Sequence, residues 1–165
     1  MNDLLRPKPP IRKRPGREGA TTPKYTEHIF VTCCTRGHMR VLDNHTAHST
    51  LRSLWVDCSH WSVTRYVIMP DHIHLMAFAS PRCTIGLRSW VAWWKAQTTR
   101  ALGYEKGGLW LPDLWDTRMR SSGHLAAKLE YMRENPVRAG LAGHAHLWPF
   151  QGDLAGPDSF ISSGG

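Results

Sequence analysis

Hydrophobic positions along the chain fall into short β-branched and aromatic runs that alternate with stretches of helical spacing. Residues 25–35 (YTEHIFVTCCT), 62–69 (SVTRYVIM) and 72–79 (HIHLMAFA) have the composition of strands. Pro70-Asp71 separates the second run from the third, and LWDTRMR (114–120) is a candidate fourth strand. Within 45–60, Leu51, Leu54, Trp55 and Cys58 recur at helical spacing. Leu87, Trp90, Val91 and Trp94 do the same within 84–102. Residues 123–135 read as a third helix that Pro136 should stop, because proline pushes the preceding residue out of the helical region. The order β-α-β-β-α-β-α predicts an α+β, ferredoxin-like fold: a mostly antiparallel sheet, helices packed on one face, and a C-terminal helix that carries Tyr131.

The ends of the chain differ from this unit. Residues 1–24 interleave basic residues with prolines that block helix and central strand, which predicts an extended arm. Arg12, Lys13 and Arg14 are its candidate phosphate-backbone contacts; the alternative is a simple disordered leader. Residues 150–165 are Gly/Ser-rich and predict a flexible tail, leaving 25–149 as the folded unit. With 21 Lys+Arg against 13 Asp+Glu, the charge favours a polyanionic partner. No apolar run approaches the ~20 residues of a membrane span, and the N-terminus lacks a secretory apolar segment, so a cytoplasmic protein is expected, nucleoid-associated if its polyanionic partner is DNA. Cys33, Cys34, Cys58 and Cys83 lack CxxC spacing and read as reduced thiols, with Cys33 and Cys34 on opposite faces of a strand.

Two constellations carry chemistry. In His72-Ile73-His74, the i and i+2 side chains of a strand project from one face, so both imidazoles can approach a single cation. Asp71 adjoins the pair, and paired polar groups in an apolar strand need partners. Two histidines that are simply at the surface or hydrogen-bonded are the plainer alternative. On the third helix, Leu125, Leu129 and Met132 define the apolar face. Tyr131 lies roughly 130° and Asn135 roughly 90° away from it. His124, Lys128, Tyr131 and Asn135 form a polar seam, and Tyr131 and Asn135 stand one turn apart. A half-exposed tyrosine and an Asn-Pro turn signal would also account for the last two.

Taken together, YVIMPDHIHLM (66–76) and YMRENPVRAGL (131–141) resemble the single-tyrosine HUH transposases, in which HUH stands for His-hydrophobic-His. The resemblance is nearest to the REP-associated tyrosine transposases. LWxxxxWDTRMR and the WWKAQTTR helix fit the same pattern, so it spans about 25–145. It implies that His72, His74 and Asn135 are metal ligands for Mg²⁺ or Mn²⁺ and that Tyr131 is the nucleophile. Asp71 and Lys128 become accessory groups, and Lys95 and Arg118 become candidate DNA contacts. The implied activity is cleavage and strand transfer of single-stranded or hairpin DNA through a 5′-phosphotyrosine, by a monomer or homodimer. Two rivals stand beside it: an HUH replication or mobilisation nuclease, and a non-catalytic nucleic-acid-binding module. Of the eight tryptophans, some could stack bases, but Trp55, Trp90 and Trp94 are expected in the core.

Overall fold

The computed structural model describes residues 27–154. Strands β1 (Ile29–Cys34), β2 (Trp61–Ile68), β3 (His72–Ala79), β4 (Trp115–Arg118) and β5 (Gln151–Asp153) form one sheet in the order β4-β1-β3-β2-β5. Every pairing is antiparallel. Helices α1 (His45–Val56) and α2 (Leu87–Ala101) are the two crossovers, and α3 (Ser122–Arg138) follows β4. The first four strands therefore have the ferredoxin-like order expected from the sequence, and β5 is added beyond β2.

The core lies between one sheet face and the α1/α2 layer. Ile29, Val31 and Cys33 of β1 stand opposite Ala77, Leu75 and Ile73 of β3, and all six are buried. In β2, Trp61 and Val63 share this face with Tyr66 and Ile68. That switch of parity needs one extra residue, and a bulge between Val63 and Arg65 supplies it. Ala47, Leu51 and Trp55 of α1 and Trp90, Val91 and Trp94 of α2 cover the face. Trp55 meets Tyr66 at 5.1 Å and Trp94 at 5.8 Å, and Trp61 stacks on Trp90 at 5.7 Å. The three tryptophans expected in the core are there.

The opposite face carries Phe30, Thr32, Cys34, His72, His74 and Met76, and α3 packs across it. The ring of Tyr131 lies 6.2 Å from Phe30 and 5.7 Å from His74. Ser121 caps α3 by accepting from the His124 N–H at 3.1 Å. The helix does not stop at Pro136 as expected; it runs on to Arg138. Proline's missing donor leaves the Met132 carbonyl without its helical partner, a tolerable loss in a last turn fixed by other bonds. Gly140, at φ +72, donates to Val137 O while Leu141 donates to Pro136 O, a left-handed cap that glycine adopts without a steric penalty.

Residues 150–154 are not a loose tail. Phe150 is buried, and Asp153 and Gln151 accept from the guanidinium of Arg65, Asp153 with both oxygens at 2.9 and 3.0 Å. Gly/Ser content pointed to fraying, but the short strand is fixed by ladder bonds and by the need of the buried Arg65 for partners. The proposed arm at 1–24, with Arg12, Lys13 and Arg14, and the rest of the tail lie outside the described residues. Among the described residues, no helix is long and apolar enough to cross a membrane.

Candidate functional site

The site is assembled at the tip of the β2–β3 hairpin. Met69 N donates to His72 O at 2.8 Å, closing the two-residue turn Pro70-Asp71. The Pro70 carbonyl accepts from Val41 N and Leu42 N, and the Asp71 carbonyl accepts from Thr35 N. With its tip tied on two sides, β3 starts at His72 in a fixed direction, and His72 and His74 project from the face under α3. Their ring centroids are 4.8 Å apart.

Each imidazole is oriented through Nδ1. His72 Nδ1 lies 2.7 Å from Asp71 Oδ1, and His74 Nδ1 lies 2.8 Å from Thr32 Oγ1. When Nδ1 carries the proton in both bonds, the lone pair of each ring sits on Nε2. This is the usual way a second layer of hydrogen bonds prepares histidine ligands. Burial, then His72 and Lys128, push His74 well below its ordinary pKa, so it is neutral at physiological pH. Burial alone would raise Asp71, but its bonds to His72 and to His38 outweigh that and hold it below the ordinary carboxylate value. His38 Nδ1 reaches Asp71 Oδ2 at 3.2 Å from a turn in which its own φ is +55.

Above the pair stands Tyr131, 37% exposed, while its neighbour Met132 is fully buried. Lys128 Nζ lies 5.1 Å from the Tyr131 ring centre and 4.8 Å from that of Phe30. Arg138 Cζ lies 5.6 Å from the Tyr131 ring centre. Two cations thus lie against the one aromatic ring. Asn135, half-buried, follows one turn after Tyr131 on the same helix. Among the described residues, no cluster of three or more His, Cys, Asp or Glu side chains could hold a metal. A cation here would draw on the two imidazoles, an amide oxygen and ligands from a substrate.

The structure thus brings His72, His74, Asp71, Lys128 and Tyr131 together. Lys95 does not join them. It is 7% exposed, on the α1/α2 side of the sheet, and its Nζ donates to Leu111 O at 2.8 Å and Asp113 O at 3.0 Å. Its ammonium ties down the loop before β4, so the expectation of a DNA contact is corrected. Burial lowers its pKa, and Cys33, Cys34 and Asp113 partly offset this. Lys95→Met should leave two carbonyls unsatisfied and cost about 1–3 kcal/mol in urea unfolding, with DNA affinity unchanged in the folded fraction. Arg118 is exposed on β4 and pairs with Glu27 at 3.3 Å. The four cysteines are free, Cys33 buried and Cys34 partly exposed on opposite faces, and burial pushes the Cys33 thiol up to about 12.

Thr32, His38, Phe30 and Arg138 were not anticipated. Thr32 and Phe30 needed strand register, which composition does not carry. Arg138 lies two helical turns from Tyr131 and was within reach of the sequence, had the helix been continued past Pro136.

No family model matches the chain. A curated protein of Haemophilus influenzae, provisionally described as a REP-associated tyrosine transposase, is 29% identical over 107 residues, covering 56% of this chain and 60% of that protein. The chain therefore spans less than two thirds of that relative. A solved structure described as a REP-associated tyrosine transposase bound to a REP hairpin superposes with a TM-score of 0.66 at 23% identity, covering 81% of each chain. That likeness shows the fold. The description of the curated relative is the family that the sequence motifs resemble.

Proposed function

We propose that this chain is a tyrosine transposase of the REP-associated type: a metal-dependent enzyme that cleaves and rejoins single-stranded DNA beside a hairpin. The observation that carries the reading is the convergence of Tyr131 with a pair of adjacent histidines whose Nδ1 atoms are already engaged. His72, His74 and the side-chain oxygen of Asn135 would hold Mg²⁺ or Mn²⁺, which when bound polarises the scissile phosphate and neutralises developing charge. Of these two ions, Mn²⁺ accepts imidazole nitrogen donors more readily than Mg²⁺ does, and the amide oxygen suits both.

In the reaction, Tyr131 Oη forms a bond to phosphorus as the bond from phosphorus to the 3′ oxygen breaks. The phenol gives up its proton and the departing 3′ oxygen gains one, leaving a 5′-phosphotyrosine and a free 3′-OH. A 3′-OH can then attack the phosphotyrosine and restore the phenol, so phosphodiester energy is conserved. Lys128 and Arg138 would offset negative charge on the phenolate and the phosphate. Asp71 and Thr32 would hold the imidazoles in position.

A hairpin with a single-stranded flank is the proposed substrate. The H. influenzae relative is described as REP-associated, and the solved relative is described as bound to a REP hairpin. A formal charge of +8 favours a nucleic acid. The test is to mix the full chain with such an oligonucleotide and Mg²⁺ or Mn²⁺ and run a denaturing gel. A covalent species lost on adding EDTA beforehand is expected; tight binding with no adduct in either metal would favour a non-catalytic DNA-binding module instead.

A further inference from the structure

A single exposed apolar side chain is ordinary on a protein surface, and what distinguishes one is the company it keeps. Among the described residues, two tryptophans are substantially exposed: Trp93 on α2, at 41%, and Trp115 on β4, at 37%. They belong to opposite sides of the sheet. Trp93 is part of the helical layer. Trp115 stands opposite Thr32, and Thr32 stands opposite His74. Directly opposed residues of antiparallel strands project from the same face, and the bond between Thr32 Oγ1 and His74 Nδ1 confirms that this row does. Trp115 is thus two strand spacings, roughly 10 Å, from His74 on the face that carries Tyr131. In the next row, Thr117 stands opposite Phe30, whose ring meets Lys128 Nζ and the edge of Tyr131. A flat apolar ring, a phenol and two cations therefore share one open surface, and Trp115 plays no part in the chemistry described above.

We infer that Trp115 is a stacking platform for an unpaired base of the DNA strand whose phosphate reaches Tyr131, and so helps to set which nucleotide step is presented for cleavage. The identity of the ligand rests on the proposed function. The argument for a base as the occupant is complementarity: Lys128 and Arg138 suit backbone phosphates, and the indole face suits any base, since stacking is tolerant of sequence.

The test uses the full chain and two oligonucleotides, a blunt hairpin and the same hairpin with a single-stranded flank, with binding measured in EDTA. Trp115→Leu keeps apolar bulk on the edge strand but removes the aromatic face; Trp115→Ala is the second variant. Affinity for the flanked hairpin should fall by roughly tenfold in both, the scale of one lost base stack, and affinity for the blunt hairpin should hold. One abasic position in the flank should cost the wild type about as much and cost Trp115→Leu nothing more. Trp93→Leu should bind like wild type. Adduct formation, followed in parallel with Mn²⁺, separates the two ideas: a wild type that makes no adduct while Trp115→Leu still loses flank affinity ends the catalytic reading and leaves the platform standing. Undiminished flank affinity in Trp115→Leu overturns the inference. So does an equal loss in Trp93→Leu, or a change confined to self-association of the DNA-free protein.

Discussion

Tyr131→Phe is expected to abolish the covalent protein–DNA species outright while hairpin affinity and metal binding persist. The phenylalanine ring keeps the packing on Phe30 and His74 and the two cations above the ring. Only one oxygen is lost, from a side chain already 37% exposed, so stability should change by no more than about 1 kcal/mol. A covalent intermediate has no substitute for that oxygen, which makes this the largest effect a single atom can have here. Tyr66 and Tyr104 are controls, because changing either to Phe should leave the adduct in place. Tyr66 is a buried core residue hydrogen-bonded to His48 at 2.7 Å. Recovery of the DNA on a peptide that lacks residue 131 would end the assignment.

The second large effect is expected at the histidine pair. His72 is the cleaner position, since His74 is buried at 6% exposure and its loss would also open a cavity under α3. His72→Ala should lower the cleavage rate at least about a hundredfold, more than the loss typical of a supporting residue. Hairpin affinity should stay within a few-fold, because phosphate contacts supply most of it. Asp71→Asn should give a smaller loss, about 10–100-fold in metal affinity, through a misdirected His72 ring. Titrating Mn²⁺ against the rate checks both: the Asp71 variant should recover at high Mn²⁺, and His72→Ala should not. Full activity of His72→Ala in metal treated to remove transition ions would exclude the ligand role.

Much of this is legible in the amino-acid sequence alone. The bounds of β3, the paired histidines on one face, and Tyr131 standing off the apolar face of its helix follow from periods of two and 3.6. What failed has local causes. Proline as a stop signal is a rule about backbone sterics, and the cap at Gly140 overruled it and carried the helix on to Arg138. Composition marked 150–165 as loose, although three of those residues complete the sheet against Arg65. Lys95 was placed by resemblance alone; its burial depends on a loop folding back over α2, a tertiary fact with no local signature. Thr32 was out of reach for a related reason, since strand register is set by the whole sheet.

The sheet described above ends in a short strand on each side, β5 beyond β2 and β4 beyond β1, and neither has a further strand beside it among the described residues. The β4 edge is the one that borders the proposed working surface. An uncovered edge is a template for polymerisation, and the proposed working surface cannot be sealed without blocking access to it. Length and charge answer the hazard. β4 has only four residues, all exposed, and Asp116 and Arg118 project from the side opposite Trp115 and Thr117. A second copy adding here would gain few ladder bonds and would have to bury those charges, the device by which natural edge strands resist fibre formation. Asp116→Val with Arg118→Val would leave the side of the edge that bears Trp115 untouched and make the other side adhesive, so the expected cost of that pair is solubility, read as turbidity on concentration.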